Sequence, residues 1–372
     1  MSRRGDVNEP EERTWEVVRR AFEERTPARR RSRRPNARLV VATLVVAVAA
    51  VVLAALSPPG HAVFERVRKA VGVEHAAPAL FSLPGGGRLL VVSGHQVWLV
   101  EPDGAKRRLG DYTDAEWSPH GLYVVATRAN ELVALDPEGN VHWTLARPHP
   151  SSPTWTGTRT DTRIAYDSDG ALRVVAGDGT GDRLLDAHGG DAPPAWDPAR
   201  KFTLAYYSAH AIVLREDSGK VVWRQRISVH PTSLAWSSDG RFLAVSSATR
   251  ILVLDASGHL RRTISMLGAT LSRAAFAPGS HRLAVSVQLD GRSELHVVDL
   301  DRPGHGRLVL AGPGKFGDVA WSPTGSTLLV SWPAANQWVF VNGTHASAVG
   351  NIRVQFPSGT QFAGRWCCAP SL

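Results

Sequence analysis

Two patterns of hydrophobic residues divide the chain. Residues 39–56 read LVVATLVVAVAAVVLAAL and contain no charged residue, with Thr43 as the only polar one. As a helix, this run would be about 27 Å long, close to the thickness of the hydrocarbon core of a bilayer. From about residue 78 onward, short hydrophobic or alternating segments are separated by Gly, Pro, Asp and Ser. This second pattern predicts β-strands and turns.

The apolar run at residues 39–56 predicts a membrane-spanning helix, and therefore a lipid bilayer as a partner. Six arginines with no acid among them precede it: Arg29, Arg30, Arg31, Arg33, Arg34 and Arg38. Such residues stay on the cytoplasmic side, so the N-terminus is expected in the cytoplasm and the chain after residue 60 outside. A cleaved secretory signal is the alternative, but its apolar region is usually only about 7–15 residues long. Ser32-Arg33-Arg34 resembles a twin-arginine signal, from which the following Pro35 departs.

The chain after the apolar run repeats with a period of about 40 residues. Aromatic residues followed by turn-forming sequences mark the repeats, as in Trp321-Ser-Pro-Thr-Gly. These anchors are Phe81, Trp117, Trp155, Trp196, Trp236, Phe276, Trp321 and Trp366. Their successive steps are 36, 38, 41, 40, 40, 45 and 45 residues. A period of this length with short strands is typical of the blades of a β-propeller.

The repeat around Trp236 shows the plan of one blade. Strands are predicted at Ser233–Trp236, Phe242–Ser246, Ile251–Asp255 and His259–Ile264, joined by turns rich in Gly, Asp and Ser. The sequence therefore predicts an all-β fold, a β-propeller of about seven four-stranded blades, with six or eight left open. Residues 364–368 are predicted to form a closing strand that pairs into the first blade, which would remove exposed strand edges.

These anchors and turns resemble the WD-repeat-like propeller repeats of the TolB type, over about residues 78–368. The segments ending at Trp223 and Trp143 also resemble the tryptophan docking motif of quinoprotein-like propellers, the second being one residue short. The resemblance implies the fold and says almost nothing about activity. Hairpins between third and fourth strands would produce such partial motifs anyway, so no quinone cofactor is expected.

The segment before the arginines predicts a short amphipathic helix from Asn8 to Arg25. Trp15, Val18 and Phe22 lie on one stripe of this helix, which is too short to be stable alone in water. The stripe predicts a binding site for a cytoplasmic regulatory protein, and a disordered tail is the alternative. The predicted organisation is a cytoplasmic basic segment (1–38), a transmembrane helix (39–56), a juxtamembrane linker (57–77) and an extracytoplasmic propeller (78–372).

The charge distribution argues against nucleic acid as a partner. The net charge is +9, but residues 1–38 hold twelve Arg and seven acidic residues, and therefore account for +5 of it (12 − 7). The remaining chain is close to balanced, and it shows no folded DNA-binding motif.

No catalytic, cofactor-binding or metal-binding residues are predicted. The fourteen His are scattered singly, and the usual hydrolase, phosphate-binding and metal-binding motifs do not occur. Asp136, Asp255 and Asp299 end third strands and are expected to hold turns. Cys367 and Cys368 are expected to be small buried residues, with a vicinal disulfide or an intermolecular bridge as alternatives.

The sequence thus favours a non-catalytic, membrane-anchored propeller on the cell membrane that binds a protein, peptide or glycan outside. Signalling through the N-terminal helix, in the manner of membrane-bound anti-sigma regulators, is the most specific hypothesis. An envelope scaffold or assembly factor without signalling is the first alternative. An enzyme with a site in the propeller channel is the second.

Overall fold

The computed structural model describes residues 82–266, 268–302, 304, 306–356 and 361–368, apart from the side chains of Ser272 and of residues 361–364. The segments predicted as the cytoplasmic helix, the transmembrane helix and the linker lie outside these ranges. Within them, no helix has the length and hydropathy that crossing a bilayer requires.

The described chain is built almost entirely of short strands. The first fourteen are β1 (Arg88–Ser93), β2 (Gln96–Val100), β3 (Lys106–Gly110), β4 (Asp114–Trp117), β5 (Val124–Arg128), β6 (Glu131–Leu135), β7 (Val141–Ala146), β8 (Pro150–Gly157), β9 (Thr162–Ser168), β10 (Ala171–Ala176), β11 (Arg183–Asp186), β12 (Ala195–Trp196), β13 (Thr203–Ser208) and β14 (Ala211–Glu216). The others are β15 (Val221–Arg226), β16 (Ser233–Trp236), β17 (Phe242–Ser246), β18 (Ile251–Asp255), β19 (Leu260–Ile264), β20 (Thr270–Phe276), β21 (Arg282–Leu289), β22 (Arg292–Asp299), β23 (Arg307–Pro313), β24 (Val319–Trp321), β25 (Leu328–Trp332), β26 (Gln337–Asn342), β27 (His345–Val349) and β28 (Gln361–Cys367). A 3₁₀ turn covers Pro333–Ala335, and a one-turn helix, α1, covers Ile352–Gln355.

In the described residues these strands form seven four-stranded antiparallel sheets, which confirms the predicted seven-bladed propeller. Blade 1 contains β28, β1, β2 and β3, and blades 2 to 7 take four consecutive strands each, from β4 to β27. The first strands of neighbouring blades contact one another in a closed cycle, from β4 through β8, β12, β16, β20 and β24 to β28 and back to β4. They therefore surround a central axis.

Antiparallel pairing gives the propeller two distinct faces. The turn face carries the connections between first and second strands and between third and fourth strands. The loop face carries the hairpins between second and third strands and the connections from one blade to the next. These two names are used below.

Blade 1 joins the two ends of the described chain. β28 supplies its first strand and pairs antiparallel with β1, with Leu89 opposite Trp366. The indole of Trp366 donates to the carbonyl oxygen of Gly86 at 2.7 Å. This pairing covers the inner edge of β1 and completes blade 1, as the closing-strand prediction requires.

The hydrophobic core is divided into seven clusters, each between two neighbouring blades. Middle strands are covered on both faces, so all six residues of β13 and all five of β25 are buried. Outer strands such as β7 alternate between exposed and half-buried residues. This division explains why middle strands are almost continuously hydrophobic in the sequence.

Side chains of the fourth strands tie each of blades 1 to 5 to the blade that follows. Trp143 donates from Nε1 to the carbonyl oxygen of Gly177 at 2.9 Å, and Trp223 donates in the same way to Ala256 at 3.1 Å. These are the two tryptophans of the docking-like motifs, so that resemblance is structural. Arginines occupy the same role in the other three blades: Arg107 donates to Pro137, Arg183 to Asp217, and Arg262 to Asp299 and Gly304.

Acidic side chains hold the turns between third and fourth strands, as expected for Asp136, Asp255 and Asp299. Asp136 accepts from the backbone N–H of Asn140 at 2.8 Å, and Asp255 accepts from that of His259 at 3.0 Å. Asp299 accepts from the N–H of Asp301 at 3.1 Å.

The expectation for the cysteines was wrong. Cys367 and Cys368 are joined to each other by a disulfide bond. Cys367 ends β28 beside the blade 1–blade 2 core, and Cys368 turns back with a φ of 52°. This reversal places both sulfurs on the same side of the chain.

Candidate functional site: the axial cavity and the loop face

The first candidate site is a cavity of about 580 Å³ along the axis. Three anchors of successive blades lie along its wall: Trp155, Trp196 and Trp236. Five prolines line it as well: Pro119, Pro153, Pro193, Pro194 and Pro198. Blades 3 to 5 therefore contribute indole and proline rings to the wall, with Thr154, Thr156 and Ser238 among them.

A charged pair lies on the other side of this cavity. Arg365 of β28 donates from Nε to Glu116 of β4 at 2.9 Å, and its Nη1 lies 3.3 Å from Asp114. Arg365 also donates to the carbonyl oxygen of Ala115. Burial raises the pKa of the Glu116 carboxyl above its ordinary value, while the guanidinium opposes that shift. The pair thus offers both donors and acceptors to a ligand in the cavity.

A second ion pair lies near the axis. Arg273, on the first strand of blade 6, lies 2.6 Å from Asp318, which immediately precedes the first strand of blade 7. Asp318 also raises the pKa of Arg365 together with Asp114 and Glu116, so these groups share one electrostatic environment. The apolar wall and the charged side of the channel therefore lie opposite each other around the axis.

The loop face of blades 3 and 4 carries a group of histidines and strained residues. His149 lies 2.8 Å from the carboxylate of Asp169, and both have positive φ, at 42° and 53°. Ala209 and His210 have φ of 47° and 60° in the hairpin turn of blade 4. An Ala in this conformation costs free energy, which proteins tolerate mostly at functional positions.

Tyr207 connects the histidines of blade 4. Its ring meets His230 edge to face at 5.2 Å between centroids, and its hydroxyl lies 3.5 Å from Nδ1 of His210. Tyr207 itself is buried. This group lies on the same face as Pro193 and Pro194, which precede β12 and line the axial cavity.

A smaller cleft of about 350 Å³ lies between blades 2 and 3, on the turn face. Tyr123 stacks with Trp155 at 6.5 Å and meets His142 edge to face at 5.0 Å. Trp155 lines both this cleft and the axial cavity. Its Nε1 is buried and has no hydrogen-bond partner in the described residues.

The structure places the predicted anchors on first strands. Trp117, Trp155, Trp196, Trp236, Phe276, Trp321 and Trp366 lie on β4, β8, β12, β16, β20, β24 and β28. Phe81 lies outside the described residues. The predicted partner-binding residues Trp15, Val18 and Phe22 and the arginines of residues 29–38 also lie outside them.

Sequence reasoning missed the charged pair and the histidine group. Glu116 and Arg365 each stand immediately before an anchor tryptophan, and that position was the available signal. The described residues contain no group of three or more His, Cys, Asp or Glu placed to hold a metal ion.

Many solved structures are similar to this chain, among them the following three. The β-propeller domain of Cps50 (Swd1) from Myceliophteria thermophila is 15% identical, with a TM-score of 0.53 over 72% of this chain and 88% of that one. A putative 6-phosphogluconolactonase from Bacteroides uniformis is 16% identical, with a TM-score of 0.53 over 75% and 100%. Hydrazine synthase from Kuenenia stuttgartiensis is 15% identical, with a TM-score of 0.53 over 67% and 80%.

At these identities the similarity shows the fold alone, and it confirms the WD-repeat-like resemblance at that level. Neither a protein-family description nor a curated protein sequence matches this chain.

Proposed function

We propose that the propeller is a non-catalytic recognition domain that binds an extended segment of another protein in its axial cavity. The observation that carries this proposal is the wall of the cavity, where indoles and proline rings face the Glu116–Arg365 pair. Apolar walls with a few convergent polar groups are the usual composition of ligand sites. The charged pair matches the alternating donors and acceptors of a peptide backbone.

We further propose that residues 39–56 hold this domain at a membrane and that residues 8–25 pass its state to a cytoplasmic protein. The support is the uncharged run of eighteen residues after six arginines, and the stripe of Trp15, Val18 and Phe22. The alternative is an anchored scaffold, in which the propeller binds its ligand and the stripe binds no cytoplasmic protein.

A catalytic propeller is the competing function. The similar structures include both enzymes and non-enzymes, and one fold hosts many functions, so the similarity does not decide between them. Elemental analysis and intact mass of the purified full-length chain test this alternative. A stoichiometric metal or organic cofactor would favour an enzyme.

Site-specific photo-crosslinking in intact membranes tests ligand binding. A photoreactive residue at Thr156, which lines the cavity, should capture a partner that mass spectrometry identifies. Ala195→Trp fills the cavity and should reduce this capture at least about tenfold, since a blocked site forfeits most of its binding energy. Ala146→Trp, at the exposed end of β7, is the matched control and should leave capture unchanged. Equal capture in both variants would refute binding in the cavity.

The same membranes test signalling. Crosslinking from the cytoplasmic segment should recover a cytoplasmic protein from the full-length chain and lose it when Trp15, Val18 and Phe22 are changed to Ala. If every partner is extracytoplasmic and unaffected by this change, the chain is an anchored scaffold.

A further inference from the structure

Exposed hydrophobic side chains are concentrated on one face of the propeller. Nine large ones are exposed among the described residues. Five of them occupy the first or second position of the outer strands of five consecutive blades and are between 48% and 53% exposed: Val141, Leu184, Val221, Leu260 and Leu308. Each follows the turn between third and fourth strands, so all five lie at the rim of the turn face. We call them the aliphatic rim.

Three further exposed hydrophobic residues lie on the same face. Val222 follows Val221 on β15, while Leu122 and Tyr123 lead from the first turn of blade 2 into β5. Only Val354, in α1, lies in a loop-face connection. Eight of the nine therefore share the turn face, although every strand has an end on each face. A row of exposed aliphatic side chains on one face of five consecutive blades is a candidate interaction surface.

The N-terminal side of the described chain joins the propeller on this same face. The N–H of Leu83 donates to the carbonyl oxygen of Pro102, in the third-to-fourth-strand turn of blade 1, at 2.8 Å. Gly87 lies against Pro323 in the first turn of blade 7. Residues 57–81 separate this point from the apolar run at residues 39–56 and can span at most about 85 Å. A chain anchored at 39–56 would therefore enter the propeller on the turn face.

Three of the charged residues beside the aliphatic rim are already paired within the protein. Arg183, next to Leu184, lies 3.0 Å from Asp217, and Lys220, next to Val221, lies 3.5 Å from Glu216. Arg261, beside Leu260, pairs with Asp255 at 2.6 Å. A rim with paired charges and half-exposed aliphatic side chains does not depend on anionic headgroups. It suits the boundary between headgroups and acyl chains of a zwitterionic bilayer.

We infer that the turn face docks on the bilayer surface through the aliphatic rim, so that the loop face and its histidines point away from the membrane. This inference rests on the proposed membrane anchoring. It gives the propeller one orientation and makes the loop-face end of the axial cavity the open route for a ligand.

Depth-dependent fluorescence quenching tests this orientation with the full-length chain in phosphatidylcholine nanodiscs. Leu184→Cys and Leu260→Cys place an environment-sensitive fluorophore on the aliphatic rim. The native cysteines are bonded to each other and leave the new thiol as the labelling site. Thr249→Cys, exposed on the loop face of blade 5, is the matched control for Leu260. Lipids carrying a spin label on the acyl chain quench only probes near the bilayer.

Quenching at positions 184 and 260 at least threefold greater than at position 249, in phosphatidylcholine without anionic lipid, is the expected result. Equal quenching on both faces overturns the docking. A second copy of the chain could cover the rim instead of the bilayer. In that case the fluorophores at positions 184 and 260 would become shielded from water as the number of chains per disc rises, without being quenched by the spin-labelled lipid, and this result would also overturn the docking. If the chain does not enter the discs, the proposed anchor fails. Flotation of the chain with liposomes of the same lipid then decides the docking, because a chain that stays unbound refutes it.

Discussion

The indole Nε1 of Trp236 donates a hydrogen bond to the carbonyl oxygen of Ala195 at 3.2 Å. This bond crosses from the first strand of blade 5 to that of blade 4, and its acceptor immediately precedes the anchor Trp196. Trp196 and Trp321 make the same bond to the preceding blades, at 3.1 Å and 3.0 Å. The tryptophans of these first strands donate to the preceding blade, whereas the side chains of the fourth strands donate to the following blade. Blades 3 and 4, and likewise blades 4 and 5, are thus tied in both directions.

Replacing Trp236 by Phe should therefore cost more stability than replacing Trp155 by Phe. Both side chains are 9% exposed and lose the same volume, but Trp155 makes no hydrogen bond from Nε1 in the described residues. The difference between the two variants should be about 1 kcal/mol, the usual net value of one hydrogen bond. Urea unfolding of both variants measures it. Equal losses would mean that the indole bond does not stabilise the ring.

Gly179→Ala should destabilise the propeller by more than Gly219→Ala. Both glycines occupy turns between third and fourth strands, with φ of 84° and 103°, so the backbone strain of an alanine is shared. A Cβ on Gly179 would lie 2.8 Å from the docked indole of Trp143, whereas one on Gly219 would meet its nearest atom at 3.6 Å.

The extra cost at Gly179 should be about 1–3 kcal/mol, as for overpacking in a core. Thermal unfolding measures it, and a Trp143→Ala background should remove the difference. If the difference persists in that background, the contact with the indole is not its cause.

The sequence predicted the fold well because its signals are local. An anchor, a turn and two hydrophobic strands recur within each repeat, and the pairing of Trp366 follows from the same pattern. The links between blades were less predictable, because Arg183 and Arg262 donate to the following blade at positions where other blades have a docking tryptophan. No docking motif in the sequence marks these arginines. The pairing of Glu116 with Arg365 joins residues far apart in the chain and depends on ring closure. No spacing along a single repeat encodes it.

Asp182→Ala should be among the most destabilising substitutions of a charged residue. The Asp182 carboxylate is 5% exposed and accepts from Arg147, Arg173 and the hydroxyl of Tyr166, each at 2.5 Å. Burial opposes its ionisation, but these hydrogen bonds lower its pKa below the ordinary value. Removing it leaves two guanidinium groups without their acceptor, at a cost of about 3–5 kcal/mol.

Asp161→Ala is the control for this variant. Asp161 also pairs with two cations, but it is 40% exposed, so its loss should cost about 1 kcal/mol or less. Chemical unfolding of both variants at neutral pH compares them. Similar losses of unfolding free energy in the two variants would show that the contacts of Asp182 with Arg147, Arg173 and Tyr166 do not stabilise the propeller as predicted.

His281 should make the stability of the propeller depend on pH around neutrality. Its Nδ1 lies 2.8 Å from Asp301 and its Nε2 lies 2.9 Å from Asp239, so both nitrogens donate only when the ring is protonated. Burial opposes protonation, but the bonds to the two carboxylates outweigh it and raise the pKa of His281 above 6.5. For Asp239, burial acts against ionisation, and the bonds from Ser237 and His281 lower its pKa from 3.8 to about 2.

The pH dependence of stability follows from the directions of these two pKa shifts. The His281 contribution is fully present below pH 6.5 and is lost as the pH rises through the raised pKa, while that of Asp239 is lost as the pH falls from about 4 to about 2. The stability that depends on the contacts of His281 with Asp239 and Asp301 should therefore be greatest between about pH 4 and 6.5. Because the two carboxylates are 43% and 54% exposed, we expect its size to be about 1 kcal/mol or less. Subtracting the unfolding free energy of His281→Gln from that of the wild type, from pH 5 to 9, isolates the effect. A difference that stays constant or grows with pH over this range would contradict the stabilising contacts of protonated His281 with the two carboxylates.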